Sequence, residues 1–192
     1  MSGFGALLLQ NADIPGDARD YLLLALGISV FSLIVAALFT RYVVSKDTGT
    51  PAMQKISNAI KAGAEAFLRR QNKTIVVLTV VLAIIIYAGY YCGKGDSALA
   101  LRMTVSFVLG AVCSLAAGFS GMWVSIRSNI RVASAARTSL NQALQIALRG
   151  GAVTGLSVVA LSLLGVGSLF WAFGGLEAPQ NVPTQIVAFG FG

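Results

Sequence analysis

The chain has 192 residues, of which 56% are hydrophobic and only 11% are charged, whereas a water-soluble domain usually carries about 25% charged residues. So few charges cannot cover the surface of a soluble globule, and a water-soluble fold is therefore excluded. The formal net charge is +7, but the basic residues lie beside long apolar runs, a pattern that membrane topology explains better than nucleic-acid binding.

Residues 1–9 form a short apolar patch that lacks a preceding basic segment, so they do not match a cleaved signal peptide. Four long apolar runs follow, and they predict transmembrane spans at about residues 21–43, 74–92, 103–126 and 151–175. Each run is long enough, as a helix, to cross the hydrocarbon core of roughly 30 Å. Buried helices of a soluble protein are disfavoured, because a chain of this size has no core that could hide four such runs.

The backbone in these runs is predicted to be helical. Lipid offers no partners for N–H and C=O groups, so only helices or a closed barrel can span it. The runs do not alternate in polarity as barrel strands do. We therefore predict an all-α, polytopic membrane helix bundle that forms a single membrane domain over residues 1–192.

The segment 44–73 is predicted to form a helical extension of the second span on the cytoplasmic side. Its apolar residues recur at helical spacing, in a stripe made of Ile56, Ile60, Ala64 and Phe67. Lys61 and Glu65 are spaced for an i,i+4 ion pair, and Pro51 suits the first turn of a helix. The alternative is an amphipathic helix that lies on the membrane surface.

A second helical extension is predicted at residues 127–150, with a turn near residues 137–141. Leucines repeat there every four residues, at Leu140, Leu144 and Leu148. The spans also contain pairs of small residues four apart, which allow close helix packing: Gly151 with Gly155, Gly110 with Ser114, and Ala117 with Gly121.

The last part of the chain predicts the start of a further helix. A short polar turn at residues 176–183 contains Pro179 and Pro183, and a new apolar run begins at Thr184. Its nine residues are too few to span the bilayer as a helix. We expect an incomplete fifth span from residue 184, and a frayed C-terminal tail is the alternative.

The distribution of charge predicts the orientation. Eleven of the 14 basic residues lie between the first and second spans or between the third and fourth, while five of the seven acids lie on the other side. The positive-inside rule then places the N-terminus outside and both basic segments in the cytoplasm.

The sequence predicts no catalytic, cofactor-binding or metal site. There is no histidine, the seven acids are scattered, and the apolar cores of the spans contain no Asp, Glu, Lys or Arg. Membrane-embedded ion transport and Mg²⁺-dependent phosphoryl chemistry both need such groups. The two cysteines, Cys92 and Cys113, have no metal-ligand spacing and are expected to act as small buried hydrophobic residues.

Three stretches carry a family resemblance: ISNAIKAGAEAFLRRQNKTI at residues 56–75, GMWVSIRSNIRVASAAR at 121–137 and ALQIALRGGAVTGLSVVALSLL at 143–164. In order and spacing they resemble the membrane-bound, ion-translocating inorganic pyrophosphatases. Leu148, before the RGG triplet, and Asn72 are mild departures from the family pattern. The large departure is length, since only the N-terminal portion of the family's chain is present.

The resemblance implies a parent protein that hydrolyses cytoplasmic Mg-pyrophosphate and pumps H⁺ or Na⁺. It implies Mg²⁺ as the parent's cofactor, a homodimer, and an N-terminus outside. The catalytic motifs would lie beyond this segment, which would belong to the outer ring of helices, bind no cofactor, and be inactive alone. Its expected partners are the lipid bilayer and the remaining helices of the subunit, with pyrophosphate bound elsewhere and no nucleic acid. The expected location is a bacterial inner (cytoplasmic) membrane, and neither the pumped ion nor K⁺ dependence is indicated.

A second hypothesis is a self-contained four-helix membrane protein with a scaffold or assembly role, which would bind a partner through its GxxxG faces. A nucleic-acid-binding protein is the third hypothesis, and the charge distribution disfavours it.

Overall fold

The computed structural model describes residues 18–177, 180 and 182–192. Four long helices dominate this part of the chain: α1 Ala18–Val44, α2 Pro51–Lys94, α3 Ser97–Ala136 and α4 Leu140–Ala172. A short helix, α5 Val182–Ile186, continues into a 3₁₀ helix at Val187–Phe191. The apolar patch at residues 1–9 and Pro179 lie outside the described residues.

All four long helices are apolar and long enough to cross a membrane, as the sequence predicted. Helix α2 has 44 residues, so it is about 66 Å long and extends well beyond a bilayer core. Of the extension predicted at residues 44–73, residues 51–73 do form one unbroken helix with the second span. Residues 45–50 are instead a loop, because α1 ends at Val44 and α2 begins at Pro51. The fourth span was predicted to reach residue 175, but α4 ends at Ala172 and the chain turns through Gly174, whose φ is 79°.

Polar caps explain where the helices begin. Thr50 precedes α2, its hydroxyl accepts from the Met53 N–H, and Pro51 occupies the first turn as predicted. The side chain of Asp96 accepts from two N–H groups at the start of α3. Ser139 caps α4 by accepting from the Gln142 N–H, which places the predicted turn at residues 137–139.

The long helices pack in the order α1, α4, α3, α2. Helix α4 lies against both α1 and α3, while α2 packs mainly against α3. One apolar cluster joins α1, α3 and α4 through Ala36, Val124 and Val153. A second cluster joins α2, α3 and the 3₁₀ helix, with Met103, Phe107 and Ala188 at its centre.

The leucine and isoleucine stripes of the two extensions are not the packed faces. In the predicted stripe of α2, Ile56, Ile60 and Phe67 are exposed and Ala64 is half-buried. The face of α2 that turns toward α3 contains Lys61 and Leu68. Leu140, Leu144 and Leu148 are also exposed, whereas α4 packs through small and apolar residues one step round the helix, among them Ala143, Ile146 and Gly150.

The small-residue pairs differ in what they contact. A Cβ at Gly151 or Gly155 would meet no atom within 4 Å, so the predicted GxxxG pair faces open space in the described structure. Gly121 does mark a close contact, because a Cβ there would lie 2.8 Å from Cγ2 of Thr154 on α4. Ala117 is buried on the same face of α3.

The segment after α4 folds back along α3. Gln185 accepts a hydrogen bond from Arg102 at 2.9 Å, and the Ser106 hydroxyl lies 3.0 Å from the Gln185 carbonyl oxygen. Residues 182–191 are helical, and the fifth span stays a prediction. Both cysteines are unpaired, and Cys92 is exposed rather than buried, contrary to expectation.

Candidate functional site

The polar residues gather where α1 ends, α2 begins, and α3 passes beside both. Arg131 on α3 is the centre of this cluster. Its Nε and Nη2 donate to the Val44 carbonyl oxygen at 3.2 and 2.9 Å, and Nε also donates to the Lys46 carbonyl oxygen at 3.1 Å. Its Nη1 donates to the Arg127 carbonyl oxygen. Arg131 therefore satisfies carbonyl groups left open at the C-terminus of α1.

Burial, and then the positive charge of Arg127, lower the pKa of the Arg131 guanidinium. An arginine stays protonated at neutral pH despite such a shift. Arg131 is half-buried, so its charge is partly removed from water, and the carbonyl dipoles around it stabilise that charge.

Asp47 links the loop between α1 and α2 to α3 through hydrogen bonds. Its Oδ2 accepts from the Ser134 hydroxyl at 2.7 Å and from the Gly49 N–H at 2.9 Å. These two hydrogen bonds, that from Ser134 first, hold the pKa of Asp47 below its usual value of 3.8. Gly49 has a φ of 72°, and a Cβ there would lie 2.8 Å from the Met53 sulfur, so the turn requires glycine.

A second polar group connects α2 with α3. Glu65 lies 3.8 Å from Lys61, as the i,i+4 spacing predicted, and 3.9 Å from Arg127 across the helix interface. The Arg127 guanidinium also stacks 3.8 Å from the centre of the Trp123 ring.

Helix α4 is tied to its neighbours at the same end of the bundle. Arg149 lies 3.8 Å from the centre of the Tyr42 ring on α1. Gly150 lies against α3, since a Cβ there would be 3.0 Å from the Ser128 hydroxyl oxygen. The three stretches that carry the family resemblance thus supply most of the contacts that hold this end together.

The hydrogen bonds of Arg131, Asp47 and Ser134 connect the end of α1 and the following loop to α3. These three residues are called the joint below. Among the residues described, no three His, Cys, Asp or Glu side chains come together as a metal site.

Sequence reasoning did not single out the joint residues. Arg131 and Ser134 lie in the stretch at residues 121–137, but their partner Asp47 lies outside all three stretches. Its only local signal is a short Asp-Thr-Gly turn, which does not reveal a contact 87 residues away.

Comparison with known proteins gives a consistent picture. Residues 30–192 match the family described as inorganic H⁺ pyrophosphatase. A K⁺-insensitive pyrophosphate-energized proton pump of Caldanaerobacter subterraneus subsp. tengcongensis is 47% identical over 182 residues, which cover 90% of this chain and 26% of that protein. A second such pump, of Moorella thermoacetica, is 48% identical over 166 residues, covering 85% of this chain and 23% of the relative.

A plant protein is similar as well. The pyrophosphate-energized membrane proton pump 3 of Arabidopsis thaliana is 38% identical over 183 residues, covering 86% of this chain and 23% of the relative. The chain therefore spans about a quarter of the length of the curated relatives that it matches.

Proposed function

This chain belongs to the inorganic H⁺ pyrophosphatase family, and from that membership we propose that it is the N-terminal, outer helical part of a membrane pump that couples Mg-pyrophosphate hydrolysis to proton transport. It is an integral membrane protein with four apolar helices able to cross the bilayer. The observation that carries the proposal is the 47% identity to a proton pump over nearly the whole chain.

Within this proposal, the segment supports the pump and does not catalyse. The joint of Arg131, Asp47 and Ser134 fixes the ends of three helices relative to one another. The pyrophosphate and Mg²⁺ sites and the ion gate belong to the rest of the subunit, and the complete pump is a homodimer. Family membership favours this role over a self-contained four-helix scaffold.

We further propose that the pumped ion is H⁺, without a need for K⁺. Two relatives that match the chain are named K⁺-insensitive proton pumps, which supports this choice over Na⁺. The proposed location is the cytoplasmic membrane of a bacterium, with the basic segments inside.

A hydrolysis assay tests the proposal that this chain supports the pump while the rest of the subunit catalyses hydrolysis. Membranes that contain only this chain should hydrolyse no pyrophosphate above blank membranes in the presence of Mg²⁺. A hybrid, in which this chain replaces the matching part of the Caldanaerobacter pump, should hydrolyse pyrophosphate without added K⁺. Hydrolysis by the chain alone would contradict the supporting role, and a folded but inactive hybrid would contradict the proposed family function.

A further inference from the structure

A groove of about 460 Å³ opens between α2 and α3. Its floor is apolar and is formed by four residues: Leu68, Phe119, Trp123 and Ile126. Leu68 and Ile126 are buried, while Phe119 is 51% exposed. The groove can therefore accept an apolar chain along its floor.

The rim of the groove is basic. Arg69 and Arg127 line it, with Asn72 as a neutral hydrogen-bonding group and Glu65 as the single acid. Glu65 is 3.9 Å from Arg127, beyond hydrogen-bonding distance, and in the described part of the chain Arg69 has no ion-pair partner. Arg127 donates from Nη1 to the Trp123 carbonyl oxygen at 3.2 Å. Its other N–H groups and those of Arg69 are therefore the donors open to an anion, which arginine binds well.

The groove lies at the boundary between apolar and polar sequence. Residues 65–72 come directly before the apolar run at 74–92, and Arg127 directly follows the run at 103–126. Trp123 sits in the last turn of that run, where tryptophan is typical of the membrane–water interface. The depth of the groove is thus that of lipid headgroups, and its predicted side is the cytoplasmic leaflet.

We infer that this groove binds an anionic phospholipid, with the phosphate at Arg69 and Arg127 and an acyl chain against Phe119 and Trp123. Basic pockets between membrane helices on the cytoplasmic side recognise anionic headgroups in this way. The groove combines a cationic rim, an apolar floor and interfacial depth, which together fit a lipid and not a soluble anion. The inference requires membrane insertion only and does not depend on the pump activity.

Tryptophan quenching can test the inference, because the chain has two tryptophans. In W171F, Trp123 is the single tryptophan and reports from the groove. The protein is placed in phosphatidylcholine vesicles that contain a small fraction of brominated phosphatidylglycerol or brominated phosphatidylcholine. Quenching gives the ratio of the association of phosphatidylglycerol at Trp123 to that of phosphatidylcholine. We expect this ratio to be at least about three. Equal quenching by the two lipids would overturn the inference.

Matched variants distinguish lipid binding in the groove from a general attraction of anionic lipid to the basic end of the bundle. R69Q/R127Q should bring the ratio to about one, and R137Q/R149Q, which removes the same charge outside the groove, should leave it unchanged. The single variant R69Q, at an exposed side chain, should lower the ratio even if the double variant folds poorly. An equal loss in both double variants would overturn a groove-specific site.

Two further measurements identify the ligand. In W123F the remaining tryptophan is Trp171, which lies at the C-terminal end of α4 and outside the groove. It should show no preference for phosphatidylglycerol. Inorganic phosphate should displace the brominated lipid no better than chloride at the same ionic strength. Specific displacement by phosphate would assign the groove to a soluble anion and overturn the lipid assignment.

Discussion

The guanidinium of Arg131 donates to the carbonyl oxygens of Val44, Lys46 and Arg127, and it therefore stands at the junction of α1, the following loop and α3. Asp47 holds the same loop from its other side through Ser134. These side chains replace water as partners for polar groups at helix ends. Their effect on stability can be measured one residue at a time.

Replacement of Arg131 should destabilise the bundle. Arg131→Gln removes charge-assisted hydrogen bonds to carbonyl groups, which should cost about 2 kcal/mol in the free energy of unfolding. Thermal unfolding in detergent would measure the loss. Arg137→Gln is the control, because its side chain makes one long hydrogen bond, 4.0 Å from the Met53 sulfur, and has only a minor electrostatic interaction with Asp47. Equal losses in both variants would contradict the role given to Arg131.

Asp47 should make stability depend on acid pH. Its pKa is lowered in the folded state, chiefly by the Ser134 hydrogen bond, so its contribution is present above the usual value near 3.8 and is lost as pH falls below that value. Asp47→Asn should therefore be less stable than the parent at neutral pH and should show a smaller loss on acidification below about pH 4. Identical pH profiles of the melting temperature for the parent and the variant would refute this assignment.

At the scale of helices, the sequence predicted where the spans lie but not which faces pack. Length and freedom from charge are enough to predict a membrane helix. The packed face is harder to predict, because the face exposed to lipid is as apolar as the one that contacts a neighbour. On α4, for example, Leu144 is exposed and the neighbouring Ala143 is buried, which the apolar pattern alone does not indicate. The joint between Asp47 and Ser134 was missed because it depends on tertiary contact, which local pattern does not encode.

Two glycines on α3 provide a matched test of helix packing. Gly121→Ala should destabilise the bundle by about 1–3 kcal/mol, because the new Cβ would lie 2.8 Å from Cγ2 of Thr154. Gly118→Ala meets nothing within 4 Å and should be neutral or stabilising by up to about 1 kcal/mol.

The contact with Thr154 can be isolated by a double-mutant cycle. Adding Thr154→Ala should recover part of the stability lost in Gly121→Ala, since it removes the atom that the new methyl group meets. If the effects of the two substitutions on the melting temperature simply add, residues 121 and 154 are not in contact. That result would contradict the close packing of α3 and α4 at Gly121.

At the scale of the whole molecule, the structure brings the loop at residues 45–50 and the turn at 137–139 to one end, where Arg131, Arg127 and Arg149 also lie. The positive-inside rule predicts that this end is cytoplasmic. Sequence and fold agree in grouping the basic residues, while the side of the membrane stays a prediction.

Cysteine labelling would determine the side. In a variant whose Cys92 and Cys113 are replaced by serine, Ser97→Cys should react with a membrane-impermeant thiol reagent in intact cells. Thr138→Cys should react after permeabilisation only. The reverse pattern would invert the predicted topology.

Proton transport by the hybrid with the Caldanaerobacter pump is the decisive test of the proposal that this chain supplies the supporting N-terminal part of a proton-pumping pyrophosphatase. Sealed inverted vesicles that contain the hybrid should acidify inside when Mg²⁺ and pyrophosphate are added, without K⁺ or Na⁺, and a protonophore should abolish the gradient. A correctly inserted hybrid that hydrolyses pyrophosphate without acidification would contradict the proposed role of this chain.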